Sequence, residues 1–333
     1  MSKVLVIGAA WVGDAVLSQP MLSALLRSNP GLEIHVLAPV WTHGVLQRMP
    51  EVARILDNPF KHGELAVGAR YRLGRQLRAT GYDQAVVLPN SLKSALIPWF
   101  ARIPRRTGYV GEMRQWLLND ARPLDRQALP LMVERFAALA QPAGTPLEKP
   151  VPQPRLVPDL SAQAATLARL GLSLGQPVAV LCPGAEYGPA KRWPVRHFAQ
   201  AASELTDEGF QVWLLGSGKD RPVGEAIVGA ASGPVHNLCG STQLSEAVDL
   251  MAAAQRVISN DSGLMHVAAA LDRPMVAVFG SSSPRFTPPL SQQARVVSLN
   301  LPCSPCFKRE CPLGHLRCLE ELQPDQVMGA WKN

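Results

Sequence analysis

Short apolar runs recur along the chain, with helical patterns between them. KVLVIG (3–8), EIHVLAP (33–39) and QAVVLP (84–89) are rich in β-branched residues and end in glycine or proline, whereas SQPMLSALLRSNP spaces its apolar positions as a helix does. Runs apolar at consecutive positions suit strands covered on both faces, so the pattern predicts βαβ units and a parallel sheet. The rhythm stops in QPAGTPLEKPVPQPRLVPD, where six prolines between Pro142 and Pro158 exclude a helix interior or a central strand. It restarts with PVAVLCPG (177–184), QVWLLGSG (211–218), RVISND (256–261) and MVAVFGS (275–281). The expected fold is α/β: two doubly wound Rossmann-like domains, residues 1–150 and 151–333, joined by the proline linker and facing each other across a cleft. Open α/β sheets bind ligands outside the carboxyl ends of their strands, so the loops that close these runs are where chemistry is expected. The tail EELQPDQVMGAWKN reads as a short last helix that could return to the N-terminal domain.

At 333 residues and 47% hydrophobic, the chain can bury a core in each of about two domains. No apolar run reaches the roughly 18 residues that span a bilayer, and Gly8, Gly13 and Asp14 interrupt the N-terminus too early for a signal peptide; a cytoplasmic location is expected. Net charge is +7, and its excess lies in the first half: 18 Lys and Arg against 11 Asp and Glu in residues 1–150, but 15 against 15 in the remainder. Such asymmetry directs the N-terminal half towards something anionic: nucleic acid, a membrane face, or a phosphorylated or carboxylated substrate. The aromatic-interleaved basic motif of single-strand binders is missing, which argues against nucleic acid.

Four of the six cysteines, Cys303, Cys306, Cys311 and Cys318, cluster in CSPCFKRECPLGHLRC. A structural zinc site opening with C-x2-C is one reading. The x4 and x6 spacings that follow are short for two knuckles on opposed hairpins, which favours free thiols.

Three loops carry the candidate chemistry. In VIGAAWVGDAVL, alanine at position 10 replaces the glycine that lets backbone approach a pyrophosphate, and Asp14 and Ala15 stand where a P-loop needs Lys and Ser or Thr. A nicotinamide-dependent oxidoreductase would also need an acid ending the second strand, and LAPVWTHG has none. Asp14 follows the first strand, where it reads either as a helix cap or as a general base towards a substrate hydroxyl. CPGAEYGPAKRWP sets Lys191 and Arg192 beside a helix start at Pro194, which suits a diphosphate or an ordinary surface pair with Trp193 packed inside. In SNDSGLMHVAAAL, Asp261 and Ser262 are placed to cap a helix, with His266 on the face of that cap. Alternatively, Asp261 accepts sugar hydroxyls while Ser262, Gly263 and the helix terminus hold phosphate oxygens. No D-x-D occurs, so cations and helix dipoles are expected to stabilise a diphosphate leaving group.

In this order and separation, GAAWVGDAVLSQP, PGAEYGPAKRWP and SNDSGLMHVAAAL resemble glycosyltransferase family 9, the ADP-heptose:lipopolysaccharide heptosyltransferases of GT-B-type fold. CSPCFKRECPLGHLRCL extends the likeness over nearly the whole chain. The resemblance implies inverting transfer of heptose from ADP-L-glycero-β-D-manno-heptose to the first heptose of the lipopolysaccharide inner core, with no cofactor required; transfer to Kdo is the alternative. It implies Asp14 as base on the acceptor hydroxyl and Lys191 on the ADP phosphates, supported by Glu186 and Tyr187. It further implies Asp261 on heptose hydroxyls, Ser262 and Gly263 beside the diphosphate, His266 nearby, Thr242 near the adenine and Asp220 as the ribose acid. A branch of the family has two threonines where this chain has Glu186 and Tyr187. A lipid A–Kdo–heptose acceptor is anionic and lies in the inner leaflet, so Lys93, Arg102, Arg105, Arg106 and Arg114 are expected contacts at a peripheral membrane association. SALIPWFARIPRR is expected either to rest on the membrane surface or to be a buried helix end with a basic rim.

Overall fold

The computed structural model describes residues 2–61 and 63–331. The chain divides into two compact units between Pro154 and Arg155, inside the proline-rich segment. In the first unit β1 (Lys3–Ile7), β2 (Glu33–Ala38), β3 (Arg54–Asp57), β4 (Gln84–Val87), β5 (Arg105–Tyr109) and β6 (Asp120–Arg122) form a sheet in the order β3-β2-β1-β4-β5-β6. In the second, β7 (Val178–Cys182), β8 (Gln211–Leu214), β9 (Val235–Asn237), β10 (Ala254–Asn260), β11 (Met275–Val278) and β12 (Ala294–Val297) repeat it as β12-β11-β10-β7-β8-β9. Every pairing is parallel. Strand order therefore reverses between β1 and β4 in one unit and between β7 and β10 in the other, and these are the switch points at which such sheets bind ligands.

All seven strands expected from the apolar runs are present. The other five are β3, β6, β9 and β12, which are the sheet edges, and β5 beside one edge. An edge strand is covered incompletely and carries polar residues, as RILD, DAR, VHN and ARVV do here, so its apolar signal is weak. The central strands show the opposite limit: Val178–Cys182 is buried throughout.

The helix Leu92–Phe100 buries Ser94–Pro98, and Phe100 meets Tyr71 edge to face at 5.2 Å between ring centroids. SALIPWFARIPRR is thus a sheet-covering helix that runs into β5, with Trp99 its exposed aromatic at 44%. That is the buried helix end, and not an apolar face laid out for a membrane. No helix among the described residues is long and apolar enough to cross a bilayer.

At the C-terminus, the helices Arg317–Glu320 and Pro324–Gly329 belong to the second unit. Leu319, Leu322, Val327 and Met328 join Trp193, Phe198 and Leu205 in one core cluster, and Trp193 Nε1 donates to Leu322 O at 2.8 Å. The last helix, expected to return to the first domain, is held in the second by this apolar burial.

All six cysteines are free thiols. Cys303, Cys306, Cys311 and Cys318 line one small cavity together with Ser281 and His315, and among the described residues no group of three or more His, Cys, Asp or Glu is arranged to hold a metal ion. Burial pushes the Cys182 thiol up, and that of Cys239 up to about 12. Backbone N–H groups, that of Leu316 foremost, lower the pKa of Cys311. Because the thiolate is the reacting form, a thiol reagent at neutral pH should label Cys311 ahead of the rest of its cluster, and Cys182 and Cys239 only after denaturation. Prompt labelling of all six in the native protein, read by mass spectrometry, would contradict this packing.

Candidate functional site

The loops leaving β7 and β10 meet because those strands are neighbours, with Ser259 opposite Cys182 in the register. Asn260, wholly buried at the end of β10, joins the two. Its Oδ1 accepts from Trp193 N at 3.0 Å and its Nδ2 donates to Pro183 O at 2.7 Å. One amide thereby fixes both ends of the segment 183–193. Trp193 is 2% exposed and stacks near His197 and Phe198, so it anchors that segment in the core while Lys191 remains at its surface. Gly184 is required where the loop begins, since a Cβ there would lie 2.5 Å from the Asp220 carboxylate.

Lys191 and Asp261 come together at this point. Lys191 Nζ lies 2.5 Å from Asp261 Oδ2, with the two side chains 18% and 6% exposed. Ser282 Oγ, from the loop after β11, donates to the same oxygen. Asp261 is therefore committed to a cation and a hydroxyl and does not cap the helix Gly263–Ala270. Ser262 is the N-cap residue of that helix, but its side chain makes no cap hydrogen bond; its Oγ lies 3.4 Å from Ser259 Oγ. Ser262 and Gly263 stand at the start of the helix, where backbone N–H groups and the dipole favour an anion. His266 is 6% exposed, and its Nδ1 is buried without a hydrogen-bond partner. Burial holds its pKa down to about 4; the Lys191 cation adds to the fall and Asp261 opposes it. His266 is accordingly a neutral imidazole at pH 7.

The remaining expected residues of this unit are more dispersed. Glu186 pairs with Lys219 at 2.6 Å on the surface. Tyr187 spends its hydroxyl on Phe307 O at 2.8 Å, while its ring has Lys191 Nζ 5.1 Å from the centroid. Thr242 is half-buried in the turn before the helix Leu244–Met251. Asp220 accepts from Ser217 N at 2.9 Å and from its hydroxyl at 2.7 Å, so its carboxylate closes a capping box on Ser217.

In the first unit, Asp14 lies in the first turn of the helix Val12–Leu17, whose N-cap is Trp11. It is half-buried, and it is not the cap residue. Lys93 is half-buried in the first turn of its helix. Arg105 pairs with Asp120 at 3.2 Å while half exposed. Arg106 and Arg114 behave differently from expectation. Arg106 donates to Leu117 O and Ile103 O at 2.7 and 2.5 Å. Arg114, with no exposure at all, donates to Tyr109 O, Pro89 O, Ser94 Oγ and Asn90 Oδ1. Both satisfy loop carbonyls and act as structural ties.

Asn260 and Ser282 are site residues that the three sequence motifs do not single out. Asn260 precedes the conspicuous Asp in SNDSG, and Ser282 lies in GSSSP at the end of an expected strand, so their positions at strand ends were the available signal.

The model of glycosyltransferase family 9 (heptosyltransferase) matches residues 70–317. The chain belongs to this family. It is 49% identical to lipopolysaccharide heptosyltransferase 2 of Salmonella typhimurium, over 98% of this chain and 96% of that one. It is 48% identical, over the same shares, to the Escherichia coli protein of the same name. The solved E. coli ADP-heptose LPS heptosyltransferase II superposes with a TM-score of 0.90 at 45% identity, covering 99% of this chain and 97% of that one. The two Rossmann-like units are those of the GT-B-type fold of this family member.

Two consequences can be measured. Asn260→Ala strands a buried N–H and a buried C=O, so it should cost about 2–4 kcal/mol in chemical denaturation; a loss under about 0.5 kcal/mol would mean the amide does not bridge the loops. For His266, the unfolded chain binds a proton below about 6.5, whereas the native chain does so only below about 4. Stability therefore falls as pH drops through that window, by at most about 1.4 kcal/mol per pH unit from this group. Urea melts from pH 7 to 4 should show a shallower decline for His266→Asn, and an unchanged slope would remove His266 as the responsible group.

Proposed function

We propose that this member of family 9 transfers a heptosyl residue from ADP-heptose to the inner core of lipopolysaccharide, inverting the anomeric centre, with the first core heptose as acceptor. The observation that carries the reading is the Lys191–Asp261 pair at the switch point of the second sheet, in a chain nearly half identical to lipopolysaccharide heptosyltransferase 2 of two bacteria. The second unit, from about residue 151, is the donor domain. The first is the acceptor domain.

In this reading the donor diphosphate takes over the Lys191 ammonium, with Ser262, Gly263 and the helix terminus beside it. Asp261, released from its cation, accepts hydroxyls of the heptose, and neutral His266 lies close by. Glu186 and Tyr187 support the phosphate loop, and Thr242 lies towards the adenine. Asp14 removes the proton from the acceptor hydroxyl as that oxygen bonds to the anomeric carbon. The bond from carbon to the β-phosphate oxygen breaks, and ADP leaves with its charge stabilised by Lys191 and the helix dipole. One displacement with one base yields inversion without a covalent intermediate. Lys93, in the helix that follows β4 as Asp14 follows β1, is the acceptor contact of this scheme; Arg105 opens β5 at the opposite, amino edge of the sheet and is left out of it. The acceptor is an amphiphile of the inner leaflet, so the enzyme works peripherally at the cytoplasmic face. Trp11, exposed at 50%, caps the helix that carries Asp14, and Val40 and Trp41, exposed at 63% and 57%, follow β2.

The test is incubation with ADP-heptose and defined truncated lipopolysaccharides ending in Kdo or in one heptose. Heptose gain should occur on the second; gain on the Kdo terminus alone would overturn the acceptor assignment. Asp14→Ala should lower turnover by about 10² or more with donor binding retained, whereas Lys191→Ala should weaken ADP binding. Unchanged turnover in the first variant removes Asp14 as base, and undiminished binding in the second removes the phosphate role of Lys191.

A further inference from the structure

Residues 304–309 form a strap across the carboxyl edge of the second sheet. Ser304 Oγ donates to Gly280 O, and Phe307 N donates to Ser281 O at 2.7 Å, both on the loop leaving β11. Tyr187 OH donates to Phe307 O at 2.8 Å and Ala190 N to Arg309 O at 3.0 Å, both on the loop leaving β7. The strap thus ties together the two loops that flank Asp261. Its approach is so close that a Cβ on Gly188 would lie 2.5 Å from Arg309 O.

This lacing decides where the Arg309 side chain ends. Its guanidinium carbon lies 5.3 Å from the centroid of the Tyr187 ring, the same ring that has Lys191 Nζ at 5.1 Å. Two cations therefore share one aromatic side chain. Lys191 is neutralised by Asp261. Arg309 is exposed and forms no ion pair with a carboxylate among the described residues. Solvent screens the exposed guanidinium, and a multivalent anion that reaches both cations is stabilised by both. A guanidinium suits a phosphate better than an ammonium does, since its planar fork donates two parallel hydrogen bonds. The Tyr187 hydroxyl is already committed to the strap, so what Tyr187 offers the site is its ring.

We propose that Arg309 is a second cation for the donor diphosphate, delivered by the strap and held beside Lys191 by the Tyr187 ring. Arg309 contacts the ligand, and Tyr187 is a positioning residue that acts through it. The assignment rests on the reading of the second unit as the donor domain, and the experiment separates the two.

Isothermal titration of ADP, and separately of adenosine, into the full-length protein and its variants provides the test. Arg309→Ala and Arg309→Gln should weaken ADP about tenfold while leaving adenosine within about twofold, because the contact is to phosphate; Arg309→Lys should recover part of the loss. Tyr187→Ala should lower ADP affinity similarly, and the double variant Tyr187→Ala, Arg309→Ala should be little worse than either single one. Tyr187→Phe, which keeps the ring, should stay nearer to wild type. ADP affinity unchanged in both Arg309→Ala and Arg309→Gln would overturn the proposal, as would equal losses for ADP and adenosine, which would make the strap a structural element only. Folded wild-type protein that binds no ADP would overturn the donor reading itself, and this assignment with it.

Discussion

An ammonium and a carboxylate lie 2.5 Å apart, largely out of water, at the carboxyl edge of the second sheet. Neither is tolerated there alone, since an uncompensated buried charge costs several kcal/mol. The pair exists because strand order reverses: Lys191 follows β7, Asp261 follows β10, and the two strands are neighbours in space although some seventy residues separate the side chains in sequence. Asn260 makes the juxtaposition rigid by bonding backbone groups at both ends of the lysine loop. A site built this way rests near neutrality. In the proposed reading an entering phosphate exchanges one anionic partner of Lys191 for another, so its binding is not opposed by stripping water from a bare cation, and the freed carboxylate is then open to hydroxyls.

His266 belongs to the same electrostatic logic. Burial keeps it neutral, so it adds no further buried charge beside Lys191 and the helix terminus, and in the proposed reading these and Arg309 face the diphosphate. A protonated imidazole in that position would oppose Lys191 across a low-dielectric interior. The neutral ring instead offers one donor and one acceptor, and the unsatisfied Nδ1 is a group that a polar ligand atom would relieve.

Much of the fold was legible because central parallel strands have no choice of composition: covered on both faces, KVLVIG and PVAVLCPG must be apolar throughout, and their glycine or proline stops mark the carboxyl edge where sites form. The edge strands were not legible, since β6 and β9 are three residues each and polar. Within the site, Lys191 and Asp261 stood out as charges in strand-end loops, yet nothing local says that they pair. That depends on non-sequential neighbours in the sheet. The same limit hid Asn260, whose two bonds reach Pro183 and Trp193, and the strap, whose bond to Tyr187 spans 120 residues. Asp261 and Asp14 were both plausible caps by residue type, but Ser262 and Trp11 occupy those positions.

The basic excess of the first half has a different meaning from the one its count suggests. Arg70, 3% exposed, donates to the carbonyls of Leu65, Glu64 and Lys93. Arg78 donates to Phe100 O, Arg106 to Leu117 O, Arg135 to Leu129 O, and Arg114 to several loop carbonyls. A guanidinium carries five N–H donors and no acceptor, so it suits the carbonyls left unpaired where helices and strands end, and short connections between parallel strands generate many of these. Each arginine spent this way adds a positive charge to the sum without presenting it to an external anion. Formal charge therefore overstates how strongly this unit attracts an external anion. Among the expected contacts, Arg105 keeps half of its side chain open to solvent, but it opens β5 level with Gln84 at the amino edge of the sheet, whereas Asp14 follows β1 at the carboxyl edge; exposure and the edge of the sheet, more than the count of charges, decide which cation can act beside Asp14.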